Sequence, residues 1–181
     1  MSIYPTLNIP NVLTIVRLLL VPVFVVLVAY EMFYAALAVF ITAGITDALD
    51  GFIAKRFDQS TEFGTLMDPV ADKFLLISAF IVLTIKGWMP PLLCTLVILR
   101  DMVIIVGFIM LASAEKRIDV VPAREGKITT TLQIITVIMA ILAAGEPDPL
   151  FTGLVVVTAA ATVYSGFYYV WREVGARKGR G

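Results

Sequence analysis

The sequence predicts an all-α, polytopic membrane protein of six transmembrane helices, and three observations carry that prediction. Of its 181 residues 60% are apolar and 15% charged, with a mean hydropathy of +0.95, too apolar for a solvated globule. The apolar residues gather into six stretches of about 20, the length that crosses a hydrocarbon core about 30 Å thick. The charges collect between and at the ends of these stretches, without the short polar/apolar alternation of a transmembrane barrel.

Taken in order, the spans read as roughly 12–30, 33–54, 67–86, 90–113, 128–145 and 150–171. Pro10 and Asn11 suit the start of the first span, one by its fixed φ and the other as a cap. No basic n-region precedes that span, so it is expected to be retained rather than cleaved. Arg17 lies inside it, placed either to snorkel to the interface or to face a site. The second span ends in "TDALDGFIAKRF" and the third opens with "FGTLMDPVADKF". The fourth carries Arg100 and Asp101 at mid-depth, where an unpaired charge is costly, so both are expected to face the interior. Residues 114–127 form the longest polar stretch, too short for a domain, and Arg124 and Lys127 open the fifth span. Tyr168, Tyr169 and Trp171 end the sixth, and with Trp88 they read as interfacial anchors. With no internal repeat, a single domain over 1–181 is expected.

Outside the spans, ten Lys and Arg residues fall in the second loop, the fourth loop and the C-terminal tail, against Lys86 alone on the other side. By the positive-inside rule both termini, and any site at the second and fourth loops, are cytoplasmic. Fourteen basic and fourteen acidic residues cancel, which argues against a nucleic-acid partner. Cys94 is the only cysteine and histidine is absent, so any chemistry rests on carboxylates, cations and hydroxyls.

Four aspartates then stand out. Each costs roughly 2.5–3.5 kcal/mol to bury at membrane depth, and such residues are by default functional and paired. Asp47 and Asp50 share one helical face with Gly51 and Ala54, and Asp68 and Asp72 share another. If the second and third helices return antiparallel, the two faces meet. Four like charges in one pocket repel unless something positive joins them. An all-oxygen set suits two hard divalent cations, Mg²⁺ or Mn²⁺, and such a pair is suited to phosphate chemistry. Gly51, Ala54 and Gly64 would let a diphosphate or a flat base approach the backbone, with Lys55 and Arg56 beside it. The other reading makes the aspartates helix caps, or structural ion pairs with Lys55, Arg56 and Lys73.

Asp47-x-x-Asp50-Gly51-x-x-Ala54-Lys55, eight residues, then Gly64-x-x-x-Asp68-x-x-x-Asp72 resembles the signature of the CDP-alcohol phosphatidyltransferases, eight positions within 26 residues. "NIPNVLTIVR" and "DPVADK" are similar to that family too, and the likeness covers essentially the whole chain. One position departs: the family usually has arginine where Lys55 stands, with Arg56 next. Lysine keeps the charge but loses the bidentate geometry, so either Lys55 acts as a point charge or Arg56 turns inward.

The resemblance implies a transferase in which CDP-diacylglycerol binds at the site, an alcohol attacks the phosphorus bonded to diacylglycerol, and CMP leaves. It implies Asp47, Asp50, Asp68 and Asp72 as metal ligands and Asp72 also as the base toward the alcohol. Gly51, Ala54, Lys55, Arg56 and Gly64 would receive CDP-diacylglycerol, and the protein would be a homodimer. Arg100, Arg124 and Lys127 point to an acceptor bearing a phosphate; the alternative is that Arg100 and Asp101 neutralise each other. Two family branches use glycerol-type acceptors. "LRDMVIIVGF" and "VYSGFYYVWR" look more like the cardiolipin branch, with phosphatidylglycerol as acceptor. The alternative acceptor is glycerol 3-phosphate. A carboxylate-lined cation transporter is a distant alternative, disfavoured because the aspartates cluster at one end of two helices.

Overall fold

The computed structural model describes residues 9–57, 62–113, 124–146 and 148–178, with side chains described over 15–46, 73–105, 126–146, 148–169 and at 171. It is all-helical over the described residues: α1 (Ile9–Ala29), α2 (Phe33–Phe57), α3 (Glu62–Ile85), α4 (Pro91–Ser113), α5 (Arg124–Ala143) and α6 (Pro149–Lys178). Every expected span corresponds to one helix. Several ends lie further out than hydropathy placed them, because Lys, Arg and Glu, good helix formers, extend a helix past its apolar stretch. α1 begins at Ile9, which puts Pro10 in the first turn, where its missing N–H costs nothing, and Asn11 inside the helix rather than at its cap.

The chain divides into two compact units, Met1–Val82 and Leu83–Gly181. In the first, α1 packs on α2. Val21, Phe24 and Val28 on α1, and Ala36, Phe40 and Ala43 on α2, are buried at three- and four-residue spacing. The rings of Phe24 and Phe40 meet at 5.6 Å between centroids, tilted by 42°. Alanines beside phenylalanines let two backbones approach closely, which is how apolar helices associate where lipid gives no hydrophobic drive. α1 ends where Glu31 N–H donates to the Val28 carbonyl and Met32 N–H to that of Leu27, with Glu31 at φ 59°.

In the second unit α6 packs against both α4 and α5. α3 closes with the same motif: Gly87 N–H donates to the Thr84 carbonyl and Trp88 N–H to Leu83, with Gly87 at φ 78°. α6 opens with Asp148 as cap, its Oδ1 accepting from Leu150 N–H at 2.9 Å, and Pro149 as first helical residue. The α5–α6 turn needs Gly145 twice over. Its φ is +85°, and a Cβ there would lie 2.6 Å from Trp88 Cδ1. Gly145→Ala is therefore expected to cost about 1–3 kcal/mol, seen as a lowered unfolding midpoint in detergent. Trp88 also receives the Lys86 ammonium, 5.9 Å from its ring centroid.

Among the described residues many large apolar side chains face outward and several polar ones are buried. Leu19, Tyr34, Ile85, Leu92, Leu150, Phe167 and Trp171 are among the exposed large apolar side chains, while Arg17, Arg100, Asp101 and Gln133 are buried. Lipid as solvent selects that arrangement. Among the described residues, Gly126–Ala143 and Pro149–Tyr169 are long and apolar enough to cross a membrane, and Ile15–Ala29, Phe33–Thr46 and Lys73–Ile85 are shorter apolar helices. Cys94 is a buried free thiol.

Candidate functional site

Both aspartate pairs fall on helix. α2 continues through Asp47, Asp50, Gly51, Ala54, Lys55 and Arg56 to Phe57, and α3 already includes Gly64, Asp68 and Asp72. With about 100° per residue, Asp47 and Asp50 lie about 60° apart around α2, and Asp68 and Asp72 about 40° apart around α3. Each pair thus shares a face, as the spacing predicts. The side chains of residues 47–72 lie outside the described residues, and with them the four aspartates, Gly51, Ala54, Lys55, Arg56 and Gly64. The donor set itself, four carboxylates with neither thiol nor imidazole among them, fits Mg²⁺ or Mn²⁺.

In the first unit Arg17 is wholly buried, which removes the snorkelling alternative left open by its position in the sequence. In the second, Arg100 and Asp101 are buried at 5% and 1% exposure, facing the interior as expected. Arg100 Nη1 donates to Asp101 Oδ1 at 2.6 Å, so the two neutralise each other in part. Arg100 Nη2 donates to Ser165 Oγ at 3.2 Å, and Arg100 Nε is buried with no hydrogen-bond partner. The first turn of α5 lies directly against this guanidinium. A Cβ on Gly126 would sit 3.4 Å from Arg100 Nη2 and 3.2 Å from the Tyr169 hydroxyl. Arg100 is thus brought beside the N-terminus of α5, whereas Lys127 is exposed and the Arg124 side chain lies outside the described residues.

A polar seam that sequence reading missed runs along α5 and α6 from this cluster. Thr129 Oγ1 donates to the Ala161 carbonyl, Gln133 Nε2 to Thr162 Oγ1, and Thr136 and Thr158 share a hydroxyl hydrogen bond of 2.8 Å. Thr129, Gln133 and Thr136, like Thr158, Thr162 and Ser165, recur at i, i+4, i+7, and that period was the available signal. A separate cavity of about 330 Å³, lined by Trp88, Gly145, Glu146, Asp148 and Phe151 among others, holds none of the predicted site residues.

A family model described as CDP-alcohol phosphatidyltransferase matches residues 7–165. A "Probable phosphatidylglycerophosphate synthase" of Mycobacterium tuberculosis is 38% identical over 177 residues, covering 92% of this chain and 82% of the relative. A "CDP-diacylglycerol--glycerol-3-phosphate 3-phosphatidyltransferase" of Escherichia coli is 39% identical over 134 residues, covering 71% of this chain and 73% of the relative.

Proposed function

Because this chain belongs to the CDP-alcohol phosphatidyltransferase family, we propose that it moves the phosphatidyl group of CDP-diacylglycerol to glycerol 3-phosphate, releasing CMP. The observation that supports this acceptor is that relatives matching 92% and 71% of the chain are named for phosphatidylglycerophosphate synthesis or for glycerol 3-phosphate. The lean toward phosphatidylglycerol drawn from "LRDMVIIVGF" gives way to it. That string differs from the other branch at one informative residue, Asp101 where glutamate is usual, and a carboxylate bonded to Arg100 can serve either enzyme.

In this reading α2 and α3 bring Asp47, Asp50, Asp68 and Asp72 together around two divalent cations. When bound, the cations supply charge neutralisation at the diphosphate. Asp72 accepts the proton of the attacking hydroxyl. The new bond forms between that oxygen and the phosphorus attached to diacylglycerol, while the bond from that phosphorus to CMP breaks and CMP leaves with the electron pair. Gly51, Ala54 and Gly64 leave room for the nucleotide, and Lys55 or Arg56 offsets charge on the leaving group. Arg100, Arg124 and Lys127 hold the acceptor's phosphate. The protein lies as a six-span homodimer in the bilayer with termini and site cytoplasmic, a placement supported by the asymmetry of its Lys and Arg.

The test is CMP release by protein purified in detergent with CDP-diacylglycerol, Mg²⁺ or Mn²⁺, and each acceptor separately. Release with glycerol 3-phosphate is expected; release with phosphatidylglycerol alone would overturn the acceptor assignment. A chelator is expected to abolish release, and added Mg²⁺ or Mn²⁺ to restore it. Activity that survives exhaustive chelation would remove the cations from the reading.

A further inference from the structure

The cluster around Arg100 is built differently from a simple buried ion pair. A guanidinium has five N–H donors in a fixed fork, and a paired carboxylate frequently takes two of them side by side. Asp101 takes Nη1 and the neutral hydroxyl of Ser165 takes Nη2 from another helix, while Nε keeps a buried N–H with no partner. A buried donor left without a partner is destabilising, and a bound anion would satisfy it. The same guanidinium lies against the first turn of α5, a 20-residue helix whose N-terminal N–H groups and dipole also favour an anion. Residue 126 is a glycine at this approach: a Cβ there would lie 3.2 Å from the Tyr169 hydroxyl, tighter than most such contacts, and 3.4 Å from Arg100 Nη2, so glycine lets the three meet without displacement. Gly166 on α6 also borders Arg100, its added Cβ 3.8 Å from Cγ, which is ordinary contact and leaves the arginine stem where it is.

We propose that Ser165 and Gly126 are positioning residues, which hold the Arg100 guanidinium against the N-terminal turn of α5 so that together they bind the phosphate of the acceptor alcohol. This rests on the reading of Arg100 as an acceptor residue. Neither residue touches the reacting atoms, so the effect belongs in acceptor binding rather than in the chemical step.

The experiment is steady-state kinetics of the full-length protein in detergent, for Ser165→Ala, Ser165→Thr and Gly126→Ala. KM is measured for the acceptor and for CDP-diacylglycerol, along with inhibition by inorganic phosphate. Ser165→Ala and Gly126→Ala are expected to raise the acceptor KM about tenfold, the loss of one charge-assisted hydrogen bond. The phosphate inhibition constant is expected to rise in parallel, with kcat and the CDP-diacylglycerol KM within about twofold of wild type. Ser165→Thr, which keeps the hydroxyl, is expected to stay close to wild type. An unchanged acceptor KM in the alanine variants, or equal losses in both KM values and kcat, overturns the proposal. Should Ser165→Ala fail to accumulate, Gly126→Ala carries the same expectation, since alanine is a good helix former, and the same overturning result. The acceptor used is whichever one releases CMP with the wild type. Release with phosphatidylglycerol alone therefore overturns the glycerol 3-phosphate reading, whereas an unmoved acceptor KM overturns only the role of Ser165 and Gly126.

Discussion

Asp72→Asn is expected to lower CMP release by about 10²- to 10⁴-fold, the usual contribution of a general base, while leaving the protein folded. The substitution keeps size and shape and removes the proton-accepting oxygen. Asp72 lies inside α3 rather than at its end, so no helix cap is lost with the charge. Circular dichroism and a monodisperse elution profile in detergent check the fold, and single-turnover CMP release checks the chemistry. Asp47→Asn is the companion variant. It removes a proposed cation ligand without removing the base, so its loss is expected to be partly recovered at raised Mg²⁺ or Mn²⁺, whereas that of Asp72→Asn is not. Near-normal turnover in Asp72→Asn would remove its assigned role.

The second large effect is expected at Arg100. Arg100→Gln takes the cation from a carboxylate that is only 1% exposed and bonded to it at 2.6 Å. Breaking a buried pair by removing one partner costs about 3–5 kcal/mol, a large part of the stability of any domain. The same variant loses the guanidinium that the acceptor's phosphate is proposed to meet. A double variant separates the two losses. Arg100→Gln combined with Asp101→Asn removes both charges, so most of the unfolding midpoint is expected to return while the acceptor KM stays raised by at least tenfold. If the double variant recovered acceptor KM along with stability, Arg100 would be a structural residue alone.

The helices were legible because hydropathy measures transfer into lipid, and a stretch apolar enough to enter it must satisfy its backbone internally. Their ends were less so. α6 runs to Lys178 and α2 to Phe57, through charged residues that hydropathy excludes and helix propensity allows. The αL turn at Glu31 carries no glycine to announce it, unlike that at Gly87. The aspartate spacing stood out because carboxylates near hydrocarbon are expensive, and the helices bear out only that each pair shares a face. The α5–α6 seam was not. Threonine, serine and glutamine barely lower the hydropathy of a span, and only their shared period marks Thr129, Gln133 and Thr136 as one buried face. Ser165 and Gly126 were invisible for a different reason: each matters through Arg100, 65 residues from Ser165 in sequence and adjacent to it only after α4 and α6 pack. The acceptor reading turned on the Asp-for-Glu difference at position 101 and the string "VYSGFYYVWR", together less informative than similarity across most of the chain.

The measurement that decides the aspartate assignment is anomalous scattering from crystals of the protein grown with Mn²⁺. Two peaks about 3.5–4 Å apart, bounded by the carboxylates of Asp47, Asp50, Asp68 and Asp72 and lost in Asp68→Asn, are the expected result. Carboxylates closed onto Lys55, Arg56 or Lys73, with no manganese between α2 and α3, would contradict it.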